Sequence, residues 1–168
     1  MSYQEKKTTV SLVTGLLILA VYCIYALSKT QSGAVSLEDL RFWATTMLIF
    51  IGIGVVAQVV ILIVFHILLS VTMAVKVQWQ REEYDGKEIE KALEADMVED
   101  EMDKLIGLKA TRISLAIAGF GFMAALGTLA LNGPPAVMLN ILFFAFGIGL
   151  MAEGVTQLYF YRPGVRND

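Results

Sequence analysis

FWATTMLIFIGIGVVAQVVILIVFHILLSVTMAV, residues 42–75, runs for 34 residues without an Asp, Glu, Lys or Arg. As one helix it would extend about 51 Å at about 1.5 Å per residue. That exceeds the roughly 30 Å hydrocarbon core of a bilayer, so the stretch reads as a membrane span that tilts or projects beyond the membrane. Three further uncharged or nearly uncharged runs surround it, at about residues 8–27, 113–131 and 136–161. The last two are separated by Asn132-Gly-Pro-Pro135, a tight turn. Its prolines cannot continue a helix, and Gly133 permits unusual backbone angles. With 57% hydrophobic residues and a mean hydropathy of +0.66, the chain falls in the membrane class. The expected fold is all-α: a single membrane domain over residues 1–168, an integral bundle of four transmembrane helices.

The first run follows Lys6 and Lys7, as in a signal peptide. It is long for a signal core, no small-x-small site follows it convincingly, and no lipobox surrounds Cys23. It reads as a retained anchor. Ser36 and Asp39 mark the start of the second span, with Ser36 as the expected cap. Tyr159, Tyr161 and Arg162 form an interfacial anchor at the end of the fourth.

Basic residues set the expected orientation. Seven of the thirteen lie between the second and third spans, in residues 76–112. Lys6 and Lys7 precede the first span, and Arg162 and Arg166 follow the last. The first hairpin connection has only Lys29 and Arg41, and the second has none. The positive-inside rule therefore places both termini and residues 76–112 in the cytoplasm. Both hairpins then start inside, and they share a loose echo: Gly52-Ile-Gly-Val-Val-Ala-Gln58 against Gly147-Ile-Gly-Leu-Met-Ala-Glu153. This suggests a parallel repeat about an axis along the membrane normal.

Polar residues inside the spans are the candidate intramembrane site. Glu153 is the costliest, since a charged side chain at mid-bilayer costs about 2.5–3.5 kcal/mol even on lenient scales. Gln157 lies one turn on, and Gln58 is its counterpart in the repeat. One reading makes Glu153 a proton or cation site; the other makes it a protonated packing group bonded to a neighbouring helix. His66 lacks a second His, Cys or acid at i+3 or i+4, which argues against a metal ligand. Glycines such as Gly121, Gly147 and Gly149 are expected to let helix backbones approach closely.

The polar stretch 76–112 also holds eleven of the sixteen acids, all between Glu82 and Asp103. Lys87–Ala95 reads as a short amphipathic helix and Asp96-Met-Val-Glu99 as a capping box opening a second helix. That second helix runs without a breaker into the third span, with Met102, Ile106, Lys109 and Ile113 on one stripe. Its Asp100, Glu101, Asp103, Ile106, Lys109 and Arg112 are the candidate contacts for a cytoplasmic protein. The acid run lacks the glycine turn and ligand spacing of a calcium loop.

The segment Asp100-Glu-Met-Asp-Lys-Leu-Ile-Gly-Leu-Lys-Ala-Thr-Arg112 resembles a motif of small uncharacterised four-span prokaryotic integral membrane proteins. Those carry Asp-Glu-Arg, then Ile, then Lys-Ala between two helical hairpins. Asp100, Glu101, Ile106, Lys109 and Ala110 match, while Met102 stands where the family usually has Arg. The resemblance implies residence in the inner (plasma) membrane and a small helix-turn-helix regulator as partner. It supplies no catalytic residue.

Enzyme signatures are missing: the chain has no G-x-S-x-G, H-E-x-x-H or P-loop, and no dinucleotide fingerprint after a strand. With net charge −3 and no basic patch, direct nucleic-acid binding is not expected, nor is a cofactor or metal. Two functions remain. One is a membrane-anchored interaction or regulatory protein presenting residues 96–112 to a partner. The other is a small oligomeric transporter or channel with Glu153 as its proton or cation site. Expected partners are the lipid bilayer and further copies of the chain.

Overall fold

A computed structural model describes residues 3–79 and 101–161. These form four helices: α1 (Tyr3–Gln31), α2 (Leu40–Trp79), α3 (Glu101–Ala130) and α4 (Pro135–Phe160). Each contains a stretch long and apolar enough to cross a membrane. The molecule is an all-α four-helix membrane bundle. The expected amphipathic helix at 87–95 and the capping box at 96–99 lie outside the described residues. From Glu101 onward, the polar lead and the third span are one continuous helix.

Side-chain pairs give the topology. Thr8 meets Gln157 and Tyr22 meets Asn140, so α1 and α4 are antiparallel. Ser11 meets Gln58 and Thr111 meets Glu153, so each hairpin is antiparallel within itself. Both hairpins therefore begin at the same end of the bundle, here called the Lys7 end. The opposite, or turn, end carries the two hairpin connections. Helix α4 is central: it packs against α3, α1 and, more lightly, α2. Among the described residues, no Cα of α2 comes within 8 Å of α3. Among those residues, helices α1, α2 and α4 contact one another in all three pairings, while α3 contacts α4 alone and stands apart from both α1 and α2.

Small residues bring α4 close to two neighbours on opposite faces. Toward α3, a Cβ on Gly121 would overlap that of Ala145, and one on Gly149 would lie 3.0 Å from the Ser114 carbonyl oxygen. Toward α1, Leu19 and Leu12 fill the space over Gly147 and Gly154, each leaving 2.6 Å for an added Cβ. In helices surrounded by lipid, where apolar association gains little from water, such close packing is a principal source of helix–helix affinity. Gly52 and Gly119 face open space.

Aromatic rings seal the turn end. Tyr22 and Trp43 are fully buried with Met47, Ala26 and Ala136. The Tyr22 ring lies 4.1 Å from Phe143 and edge-on to Phe50 at 5.1 Å. Its hydroxyl donates to Asn140 Oδ1 at 2.8 Å, and Asn140 Nδ2 donates to the Ala136 carbonyl at 2.8 Å. The polar tips within this apolar plug are thereby paired. The first connection folds over it: Trp43 Nε1 donates to the Ser36 carbonyl at 3.2 Å, and the Ala136 N–H to that of Leu37 at 3.3 Å. The second bond serves α4, whose proline start offers no side-chain cap.

Two local expectations are corrected. Asp39, not Ser36, caps α2: its Oδ1 accepts the Phe42 N–H at 3.0 Å, while Ser36 Oγ closes a tighter turn by accepting from Glu38. The left-handed residue of the 131–134 turn is Asn132 (φ 57°), not Gly133. Gly133 donates to the Thr128 carbonyl at 2.8 Å and Asn132 to that of Leu129 at 3.0 Å, the paired closure of a helix C-terminus that asparagine tolerates. Gly133 is needed for space, since a Cβ there would sit 2.6 Å from Thr128 Cγ2.

Candidate functional site

The half of the bundle nearer Lys7 is open where the turn end is closed. Beyond Met47, no described side chain of α2 is buried. The resulting cleft has a volume of about 1230 Å³ and is lined by all four helices. Its back wall is one face of α4. Phe146, Leu150, Glu153 and Gln157 line the cleft and recur at steps of four, three and four residues, which places them on a single stripe. Gly147 and Gly154 also line the cleft, where α4 meets Leu19 and Leu12 of α1, and Gly149 faces Ser114 of α3.

Three hydroxyl groups meet three side-chain oxygens around this cleft. Thr8 Oγ1 donates to Gln157 Oε1 at 3.2 Å, joining α1 to α4. Ser11 Oγ donates to Gln58 Oε1 at 3.1 Å, joining α1 to α2. Thr111 Oγ1 donates to Glu153 Oε1 at 3.0 Å, joining α3 to α4. Gln58 and Glu153 therefore hold matching places in the two hairpins, each taking a hydroxyl from the preceding helix. Sequence reasoning singled out the oxygens and missed the hydroxyls.

The candidate intramembrane residues come together only in part. Glu153, Gln157 and Gln58 all line the cleft, and all three are half-buried. Gln58 does not bond Glu153; its oxygen is taken by Ser11. His66 lies eight residues beyond Gln58 on α2, and its side chain is outside those described. The other helices contribute the rim: Lys7 on α1, with Asp103 and Lys104 on α3. Lys104 Nζ stands 3.2 Å from Glu101 Oε1 in an exposed pair.

The candidate partner-binding residues of α3 differ in burial. Ile106 is buried, as is Ala110 one turn on, and Lys109 Nζ stands 5.3 Å above the Phe160 ring of α4. Ile106 and Ala110 are therefore not available to a partner, whereas Lys109 remains exposed. Glu101, Met102 and Arg112 are exposed, while Asp103 rims the cleft. Asp100 lies outside the described residues. Among the described residues, no group of three or more His, Cys, Asp or Glu could hold a metal ion.

Chemically, the site is a carboxylate with one hydrogen-bond donor beside it, at the boundary between a polar mouth and an apolar, aromatic interior. No family model matches the chain, and neither the curated proteins nor the solved structures give a match.

Proposed function

We propose that the chain is a small membrane transporter or channel in which Glu153 is the proton or cation site. The observation that carries this reading is the position of the carboxyl group. Glu153 lines an open cleft, the usual setting for an ionisable group within a membrane. Its only side-chain partner among the described residues is the Thr111 hydroxyl at 3.0 Å. A hydroxyl both donates and accepts, so it serves a carboxyl group with or without its proton.

The supporting test is flux in proteoliposomes. Wild-type protein should carry protons or monovalent cations down an imposed gradient. Glu153→Gln should abolish that flux while eluting and melting as wild type, because the amide keeps an acceptor for Thr111. Equal flux in the two proteins would defeat the reading. In this proposal the Lys7 end faces the cytoplasm, as the distribution of basic residues suggests, and copies of the chain associate through apolar faces such as that of α2.

A second reading keeps the chain as a membrane-anchored interaction protein. The observation favouring it is the exposure of Glu101, Met102 and Arg112 on the first three turns of α3. Glu101 and Arg112 lie on one side of the helix and Met102 about 100° round from Glu101, so charged and apolar groups are exposed together.

A further inference from the structure

We infer that the cleft takes an amphiphilic organic cation: an ammonium- or phosphonium-type charge set against Glu153, with an apolar body lying along the wall toward Phe146. This inference rests on the transport reading above and names the class of its substrate.

The lining carries the argument. Within the four apolar runs, Glu153 is the sole Asp, Glu, Lys or Arg. No Lys or Arg of these runs supplies its counter-charge, and the basic residues lining the cleft, Lys7 and Lys104, lie outside the runs, toward its mouth. Calcium or magnesium would need about six or more oxygen ligands. Glu153 belongs to no described group of three or more His, Cys, Asp or Glu. An organic cation needs no such shell, because its charge is already screened by its own substituents. One carboxylate and an apolar surround suffice.

The cleft offers that surround on one side of Glu153. On α4, Leu150 lies one turn toward the turn end and Phe146 two turns, about 10.5 Å along the axis. Phe146 is 58% exposed although it lines the cleft, so its ring is free to take a hydrophobic body. Beyond it, Phe50 and Phe143 close the far end. The volume of about 1230 Å³ compares with roughly 300–1,000 Å³ for pockets that hold drug-sized molecules. It far exceeds what a bare ion occupies.

The remaining charges favour entry from the side. Lys7 and Lys104 stand on the rim together with Asp103, and Lys104 is shared with Glu101. Lys104 is seven residues from Thr111, again about 10.5 Å along the helix, where water and salt screen its repulsion. The separation of α2 from α3 leaves an apolar flank through which a lipid-soluble cation reaches the carboxylate without passing the lysines.

The test uses full-length protein in detergent and two probes of the same shape and opposite charge, tetraphenylphosphonium and tetraphenylborate. Equilibrium dialysis should show saturable binding of the cation and none of the anion. Glu153→Gln should weaken cation binding by about tenfold or more, which is about 1.4 kcal/mol, without lowering the melting temperature. Phe146→Ala should weaken it as well, because the body loses its aromatic wall. Equal binding of both probes overturns the inference, as does binding indifferent to Glu153→Gln. A phospholipid retained one-to-one through purification and not displaced by excess tetraphenylphosphonium also overturns it. If Glu153 governs inorganic flux while the phosphonium shows no Glu153-dependent binding, the transport reading stands and this inference falls. If neither depends on Glu153, both fall.

Discussion

The Thr111 hydroxyl on α3 donates to Glu153 Oε1 on α4 across 3.0 Å, and the two residues stand 21 positions on either side of Asn132. An antiparallel hairpin brings together residues equidistant from its turn. Ser11 and Gln58 straddle the first connection in the same manner and make the same kind of bond. The hydroxyl holds the carboxylate on the α3 side of the cleft. Thr111→Val keeps the shape and removes the donor. It should reduce Glu153-dependent flux or binding severalfold, since a hydrogen bond contributes about 0.5–1.5 kcal/mol net. The fold should remain intact because Thr111 is exposed. Unchanged function in this variant would show that the bond does not position Glu153.

The α3–α4 contact depends on which glycine of a pair faces inward. Gly121→Ala should lower thermal stability by about 1–3 kcal/mol, the usual cost of overpacking, because the new methyl overlaps Ala145. Gly119→Ala, two residues away and facing open space, should be neutral or slightly stabilising through helix propensity. Melting curves of the two variants in detergent check this. Equal effects would contradict the register of the hairpin.

A compensating pair tests the α1–α4 register. Gly154→Ala alone should destabilise, as the added carbon comes 2.6 Å from Leu12 Cγ. Combined with Leu12→Ala, much of the loss attributable to collision should disappear, giving a coupling of about 0.5–3 kcal/mol for residues in contact. Additive losses in a double-mutant cycle would separate the two residues.

Tyr22→Phe removes one hydroxyl and leaves Asn140 Oδ1 without its donor at the sealed end. The expected cost is about 1–3 kcal/mol for the orphaned acceptor. Tyr22→Ala should cost about 3–5 kcal/mol by opening a cavity beneath Phe143. Both variants should unfold at lower temperature than wild type; a Phe variant as stable as the parent would argue against the Tyr22–Asn140 bond.

Orientation and partner binding need tests of their own. After removal of Cys23, Leu131→Cys should be labelled by an impermeant thiol reagent from outside the cell, and Gly86→Cys only after permeabilisation. Leu131 suits the test because it is 84% exposed, whereas Gly133 is crowded by Thr128. The reverse pattern would invert the proposed topology. For the interaction reading, Glu101→Lys, Met102→Ser and Arg112→Glu together should abolish co-purification of a helix-turn-helix regulator without changing the melting temperature. If the wild-type chain retains no such regulator, that reading fails.

Sequence alone determined that residues 42–75 lie in a helix too apolar to remain in water, and that four such helices form two hairpins. Backbone hydrogen bonding within a bilayer leaves helices as the solution for runs of this kind, and uncharged length is visible residue by residue. It also marked Glu153, because a charge among apolar neighbours stands out without knowledge of what surrounds it. Tertiary structure decided the rest. Whether Gln58 or Thr111 meets Glu153 depends on rotation and separation of helices, which a 3.6-residue period does not specify for helices apolar on every face. Ile106 was expected on a partner-binding stripe, yet it is buried within the bundle, while Lys109 stays exposed beside the Phe160 ring. The cleft exists because α4 approaches α1 and α3 closely through glycine and alanine while α2 and α3 stay apart. That difference lies in packing between helices, not in the composition of any one of them.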